Sequence, residues 1–199
     1  MFYKTSVYIA DILEQQNKFA PEDKEVYRYG IQQGLNLTLN ILTTIIIGVL
    51  CGMVYPSLLF LVCYMPLRSF GGGYHAKTHL RCYIYSVIMI TCILLVTKYT
   101  AFNIVLYEVL VLISLIIILL LAPVEDENKK LDSVEKRVFR KRAYILAFLE
   151  VLLYHVFLIT HLTYCYTILC TVLFSLSTLM IIGSIKNYIQ RKDMNADCI

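Results

Sequence analysis

Two histidines and a cysteine lie close together in the stretch RSFGGGYHAKTHLRC, which covers residues 68–82. A cysteine thiol becomes a nucleophile when a neighbouring base or a positive field favours the thiolate. Cys82 has two candidate bases within this stretch, His75 and His79. Three cations accompany them: Arg68, Lys77 and Arg81. The segment therefore contains the residue types that covalent catalysis through a cysteine requires.

The spacing of these residues restricts which histidine can serve the cysteine. On an unbroken helix His75 and Cys82 share a face but lie about 10 Å apart along the axis, at about 1.5 Å per residue. Since hydrogen-bond reach is roughly 3 Å, this pair requires an interruption of the helix between the two residues. His79 lies three residues from Cys82 and could meet it on a regular helical turn. Local geometry alone therefore slightly favours His79.

Three consecutive glycines precede the first histidine. Glycine permits backbone conformations that other residues avoid, so this run favours a non-helical, closely approaching backbone. Free N–H groups in such a loop are candidates to hold an oxyanion. The glycines concerned are Gly71, Gly72 and Gly73.

Two other interpretations of the same stretch stay open. His75, His79 and Cys82 lie at i, i+4 and i+7, a spacing that could hold zinc on one helical face. However, HAKTH lacks the glutamate of HExxH and no fourth ligand is evident, so no metal or other cofactor is expected. The segment could also be a cytoplasmic turn whose cations only anchor it at the membrane.

The composition of the chain is that of a membrane protein. Of 199 residues, 59% are hydrophobic and 16% are charged, and the mean hydropathy is +0.69. A soluble domain has about 45–50% apolar and about 25% charged residues. At about 20 apolar residues for each span, the length allows roughly six spanning helices.

Six apolar runs predict these helices. They cover residues 35–55, 56–67, 83–97, 100–122, 143–160 and 161–184. The second run has only 12 residues, which is too short for a span unless the glycine stretch continues it. Residues 1–34 are predicted to form cytoplasmic or interfacial amphipathic helices, because apolar residues recur there at nearly helical spacing. The sequence thus predicts an all-α polytopic membrane protein, with segment 1–34 followed by a membrane-embedded domain, 35–199.

The distribution of Lys and Arg predicts the orientation in the membrane. With six spans and the N-terminus inside, 17 of these cations lie in inner segments and Lys98 alone lies outside. The positive-inside rule then places both termini, the segment 68–82 and the loop 123–142 in the cytoplasm. The outer connections are very short, which excludes a receptor with an extracellular binding domain.

Three ionisable residues lie within the predicted spans: Glu108, Glu150 and His155. Because a charge is costly in the membrane, such residues are candidates for a proton or ion relay. They support an alternative function, a transporter or exporter of a small peptide. Glu150 and His155 are five residues apart and share a helical face poorly, and no residue pairs with Glu108 by spacing. The other interpretation is that all three are protonated or hydrogen-bonded inside the bundle.

The segment 68–82 resembles the accessory gene regulator B (AgrB) family, membrane endopeptidases of Gram-positive bacteria. The likeness consists of an arginine, a glycine pair, an aromatic residue, and a histidine and a cysteine with six residues between them: Arg68, Gly72, Gly73, Tyr74, His75 and Cys82. It extends to YRYGIQQGL near the N-terminus and to the six-span pattern. It also includes residues of the 123–142 loop and its flank: Ala122, Pro123, Asn128, Lys129, Lys130 and Leu131.

The resemblance implies a multi-pass cysteine endopeptidase of the bacterial cell membrane. Such enzymes remove the C-terminal tail of an AgrD-like precursor peptide and transfer its acyl group to the peptide's own cysteine or serine. The product is a cyclic thiolactone or lactone, the autoinducing peptide of quorum sensing. By motif position Cys82 is the nucleophile and His75 its general base and acid, with His79 as a reserve base.

Further roles follow from the resemblance. Arg68 is expected to clamp the precursor's carboxylates or the motif's own backbone, and Lys129 and Lys130 are expected to bind the precursor's acidic tail. The expected partners are this precursor and membrane lipids, and a homodimer is compatible with a small helical bundle. No nucleic acid, metal or nucleotide is expected.

Overall fold

Seven α-helices form most of the chain in the computed structural model, which describes residues 2–16, 18, 21–74, 76, 78–100, 103–125 and 131–196. No strand occurs among these residues, which confirms the predicted all-α fold. A short 3₁₀ turn, Pro21–Asp23, precedes the second helix. The helices are α1 (Tyr3–Gln15), α2 (Lys24–Cys51), α3 (Val54–Gly71), α4 (His79–Tyr99), α5 (Ile104–Leu121), α6 (Ser133–Ile159) and α7 (Thr163–Ala196).

Five of these helices are long and apolar enough to cross a membrane: α2, α4, α5, α6 and α7. Many of their large apolar side chains are exposed on the outside of the bundle, as lipid-facing helices require. The chain is therefore a polytopic membrane protein. α3 has 18 residues and packs within the same bundle, although its composition does not place it among the five. It ends at Gly71, so the short run predicted at 56–67 does continue into the glycine stretch.

α7 is the central helix of the bundle. Half of the residues in its membrane-spanning stretch are buried inside the bundle. In the other four helices that could cross a membrane, this share is at most 22%. It packs against α3, α4, α5 and α6. Because lipid tails are as apolar as leucine, close packing rather than water exclusion holds such helices together. The fully buried side chains of α7 include Ile168, Leu169, Val172, Leu173, Leu176 and Met180.

The N-terminal helix folds back along the start of α2. Lys24 Nζ lies 2.8 Å from Asp11 Oδ1 and 2.6 Å from Glu14 Oε2. α2 is continuous from Lys24 to Cys51, so the polar helix predicted before residue 35 and the span predicted after it form one element. Contact of α1 with the membrane surface stays a prediction.

The connections between helices gather at two opposite ends of the bundle. At one end Lys98 Nζ donates to the carbonyl oxygen of Cys51 at 2.6 Å, which joins the α2–α3 turn to the end of α4. At the other end the α3–α4 loop meets the α5–α6 connection, where Val124 N–H donates to the Gly71 oxygen at 2.9 Å. Lys98 thus lies at the end opposite the segment 68–82, as the six-span topology requires. The side of the membrane that each end faces stays a prediction.

Candidate active site

The α3–α4 loop begins with a glycine turn that closes α3. Gly72 N–H donates to the Arg68 carbonyl at 3.1 Å. Gly72 has a φ of 73° and Gly73 a φ of 120°, both in the region that side-chain-bearing residues rarely adopt. A Cβ on Gly72 would also clash with the Val124 carbonyl. Conformation and contact therefore both require glycine at residue 72.

The loop is fixed to two other parts of the bundle. Gly73 N–H donates to the Val124 oxygen at 3.3 Å, and Tyr74 N–H donates to the Leu179 oxygen of α7 at 2.8 Å. Since the Gly72 N–H donates to Arg68 and the Gly73 N–H to Val124, neither is available to an oxyanion in this conformation. The glycines shape the loop here, and donation to an oxyanion would require these bonds to open.

Gly183 of α7 makes room for the loop. A Cβ at this position would lie 2.7 Å from the Tyr74 nitrogen and 2.9 Å from the Gly73 carbonyl carbon. Both distances are shorter than real Cβ contacts, so any side chain here would displace the loop. Sequence reasoning missed Gly183, whose only signal was an isolated glycine inside an apolar run.

Arg68 binds the backbone of the loop that follows it. Its Nη1 donates to the Gly72 carbonyl, and its Nη2 donates to the Tyr74 carbonyl at 2.5 Å. A planar guanidinium offers several N–H donors in fixed directions and suits two such acceptors. Arg68 was expected to bind either the precursor's carboxylates or the backbone of its own motif. In the structure it binds the backbone of its own motif.

Cys82 lies in the first turn of α4. The helix begins at His79, and the Thr78 hydroxyl caps it by accepting from the Arg81 N–H at 3.3 Å. Cys82 N–H donates to the Thr78 carbonyl at 3.1 Å. The dipole at a helix N-terminus stabilises negative charge in the first turn, where Cys82 lies.

The two candidate bases are on different sides of the helix boundary. α4 starts at His79, and residues 72–78, where they are described, are not helical. This is the interruption that a pair of His75 and Cys82 requires. The position of His75 itself lies outside the described residues. His79 occupies the first turn with Cys82 and stays the reserve base.

The zinc interpretation loses its basis because its spacing assumed one continuous helix. His75 precedes α4, whereas His79 and Cys82 belong to it.

A cavity of about 830 Å³ opens beside Cys82, between α2, α3, α4 and α7. Along α4 its lining covers one helical face within residues 82–96, about 21 Å at about 1.5 Å per residue. Most of the lining is apolar, and the volume lies in the range of about 300–1,000 Å³ that is typical of ligand pockets. Cys82 therefore faces a space that is large enough for a peptide segment.

Tyr64 joins Arg68 and Cys82 at the wall of this cavity. All three residues line it, and Tyr64 precedes Arg68 by one turn of α3. The Tyr64 ring stacks on Phe60 with a centroid distance of 4.8 Å, which holds its orientation. Sequence reasoning missed Tyr64, although its i, i+4 spacing to Arg68 places the two on one face of α3.

Cations surround the outer side of the loop. Lys186 Nζ lies 5.6 Å from the centroid of the Tyr74 ring, and Arg142 lies 5.1 Å from that of Phe70. Arg140 Nε donates to the Ala122 carbonyl at 3.1 Å. The loop thus lies at the basic end of the bundle. The predicted tail-binding residues, Lys129 and Lys130, lie outside the described residues.

The three ionisable residues of the spans do not form one relay. His155 Nε2 lies 3.5 Å from Glu108 Oε2, and the Tyr154 hydroxyl donates to Glu108 Oε1 at 3.3 Å. Glu150 is buried at 6% exposure, and its Oε2 has no hydrogen-bond partner among the described residues. The spacing of residues along the chain predicted no partner for Glu108. In the structure its partners are His155 and Tyr154 of α6. None of the three is among the described residues that line the cavity.

Known proteins match this chain over most of its length. A family model described as accessory gene regulator B matches residues 6–182. An AgrB-like protein of Clostridium perfringens strain SM101 is 26% identical over 149 residues, which cover 71% of this chain and 70% of that protein. AgrB-like protein 2 of Clostridium perfringens strain 13 is 26% identical over 164 residues, or 76% and 77% of the two chains. Accessory gene regulator protein B of Staphylococcus saprophyticus is 28% identical over 144 residues, or 71% and 75%. No solved structure matches the chain with significance.

Proposed function

Because this chain belongs to the accessory gene regulator B family and so to that quorum-sensing system, we propose that it is a membrane cysteine endopeptidase. It removes the C-terminal tail of an AgrD-like propeptide and promotes cyclisation of the remainder to a thiolactone or lactone. One observation carries the proposal: Cys82 lies in the first turn of α4 and faces an apolar cavity of about 830 Å³. Placement at a helix N-terminus suits a nucleophile, and the cavity provides space for the peptide.

The first chemical step is acylation of the enzyme. Cys82 Sγ attacks the scissile carbonyl carbon while His75 takes the thiol proton. When the tetrahedral intermediate collapses, the C–N bond breaks and His75 gives the proton to the leaving amine. The products are the free C-terminal tail and a thioester between the N-terminal part of the peptide and Cys82.

The second step is transfer of the acyl group within the peptide. The peptide's own thiol or hydroxyl attacks the thioester, its proton passes to His75, and Cys82 leaves with a proton returned to its sulfur. For a cysteine acceptor one thioester replaces another, so the exchange is nearly balanced in energy. Water must be excluded because hydrolysis is thermodynamically favoured, and the apolar lining of the cavity serves this purpose.

The basic end of the bundle suits the charge of the tail that is removed. Arg140, Arg142 and Lys186 lie around the loop, and Lys129 and Lys130 belong to the connection that meets it. An acidic peptide tail at this end would make charge-assisted contacts with such cations. Binding of the tail there would place the preceding peptide bond beside the loop and Cys82.

Substitution of Cys82 tests the proposal. With purified protein in lipid nanodiscs and a synthetic precursor, we expect Cys82→Ala to abolish cleavage while membrane insertion stays normal. Cys92→Ala is a matched control, because Cys92 belongs to the same helix and lines the same cavity. Full cleavage by Cys82→Ala would exclude a cysteine endopeptidase at this site.

A further inference from the structure

The walls of the cavity beside Cys82 differ in chemistry. The wall formed by α7 carries three hydroxyl residues, Thr171, Ser175 and Thr178, at i, i+4 and i+7. The walls formed by α3 and α4 are mainly apolar and aromatic: Phe60, Leu61, Met65, Met89, Ile90 and Ile93. A ligand here therefore meets a row of hydroxyl groups beside apolar residues on α7 and mainly apolar side chains on α3 and α4, while α2 adds Asn40 and Thr44.

The three hydroxyls already use their hydrogens within α7. Thr171, Ser175 and Thr178 donate to carbonyls three or four residues earlier, at 2.8, 2.9 and 2.8 Å. A hydroxyl has one donor and two acceptor lone pairs. The three hydroxyl oxygens can therefore still accept hydrogen bonds but have no hydrogen left to donate. This wall suits a ligand that presents N–H groups.

The spacing of the hydroxyls suits an extended peptide. At about 1.5 Å per residue, Thr171 and Ser175 are about 6 Å apart along α7, and Ser175 and Thr178 are about 4.5 Å apart. An extended chain presents N–H groups on one side at every second residue, about 6.7 Å apart. The spacing of Thr171 and Ser175 is close to this repeat, so a strand along α7 can meet these two acceptors with successive N–H groups of one edge. The spacing of Ser175 and Thr178 is about 2 Å shorter than the repeat.

We propose that Thr171, Ser175 and Thr178 form a hydroxyl row that binds the precursor in extended form beside Cys82. The row accepts hydrogen bonds from backbone N–H groups, and the walls of α3 and α4 take apolar side chains next to the scissile bond. The inference rests on the proposed function, because it names substrate-binding residues of that same site. It defines the substrate class as a peptide whose segment at the cleavage point is extended and apolar.

Kinetics of a triple variant test the hydroxyl row. Thr171→Val, Ser175→Ala and Thr178→Val together remove three weak hydrogen bonds, and we expect KM to rise roughly tenfold while kcat changes less than about twofold. Ser177→Ala is the matched control, because the Ser177 hydroxyl lies 3.3 Å from that of Ser114 on α5 instead. An unchanged KM in the triple variant, or an equal rise in the control, overturns the row.

A modified substrate gives a second test with a different readout. In a depsipeptide precursor an ester replaces one backbone amide beside the cleavage point and removes a single N–H. We expect its KM to be several-fold higher than that of the normal precursor with the wild-type protein, and no higher with the triple variant. Equal rises with both proteins would show that the hydroxyls do not accept from this backbone. If the triple variant does not fold, the same comparison is made with Ser175→Ala alone.

These results separate the two proposals. If the Cys82→Ala variant still cleaves the precursor, the proposed function is wrong, whatever the results with the hydroxyl variants. Loss of cleavage in Cys82→Ala, together with an unchanged KM in the triple variant, overturns only the hydroxyl row.

Discussion

The N–H of Tyr74 donates to the carbonyl oxygen of Leu179 at 2.8 Å, and this bond fixes the glycine loop to the central helix of the bundle. α7 contributes none of the residues that sequence reasoning assigned to the site. It nevertheless positions the chain between α3 and Cys82, because the loop lies against Leu179 and Gly183. The packing of α7 therefore decides where the loop lies relative to the cavity.

Gly183→Ala should displace the loop and lower the rate of cleavage. The added Cβ would lie within 3.0 Å of two backbone atoms of residues 73 and 74. Displacements of about 1 Å at an active site can cost about 10²-fold in rate, so we expect a loss of at least about tenfold. Gly34→Ala in α2 is the control, because a Cβ there meets no atom within 4 Å. Equal activity of Gly183→Ala and wild type would show that the loop does not need this space.

Arg68→Lys should impair cleavage although it keeps the positive charge. The guanidinium binds the Gly72 and Tyr74 carbonyls together, and a lysine ammonium cannot reproduce this planar two-point contact. We expect kcat/KM to fall about tenfold or more. Arg28→Lys in α2 is a suitable control, because Arg28 pairs with Glu25 and does not line the described part of the cavity. Wild-type rates in Arg68→Lys would show that charge alone suffices.

The two histidines can be distinguished by separate substitutions. Because α4 begins at His79 and the described residues 72–74, 76 and 78 before it are not helical, the chain can bring His75 towards Cys82. We expect His75→Ala to abolish cleavage and His79→Ala to retain most of it, measured as release of the C-terminal tail. The reverse outcome would make His79 the base, as its shared first turn with Cys82 allows.

The pair of Glu108 and His155 should contribute to stability and not to catalysis. Glu108 joins α5 to α6 through His155 and Tyr154, and it does not line the described cavity. Glu108→Gln should lower the thermal unfolding temperature by a few degrees and leave the cleavage rate unchanged. Loss of cleavage with unaltered thermal stability would contradict this structural role.

Local patterns predicted the helices and the interruption around the candidate site. The apolar runs placed the membrane helices, and the glycines together with the spacing of His75 and Cys82 predicted a break before α4. At residue 35, where the sequence predicted the start of the membrane-embedded domain, α2 continues without interruption. Hydropathy marks where a helix meets apolar surroundings, and a helix can extend beyond that point.

Contacts between distant parts of the chain could not be predicted from one sequence. Gly183 lies more than 100 residues from the loop that it accommodates, and no local spacing relates them. Similarly, Glu108 finds His155 only because α5 and α6 pack side by side. Tyr64 had a local signal, its spacing to Arg68, but its proximity to Cys82 depends on the packing of α3 and α4.

The most direct test of the central claim is to trap the acyl-enzyme. A precursor whose acceptor cysteine or serine is replaced by alanine can be cleaved but cannot cyclise, so the thioester should accumulate. Mass spectrometry of the intact protein and of its peptides should then show the N-terminal part of the precursor attached to Cys82, released by hydroxylamine, with the tail free in solution. Release of the tail without an adduct on Cys82, or with an adduct on another residue, would contradict nucleophilic catalysis by Cys82.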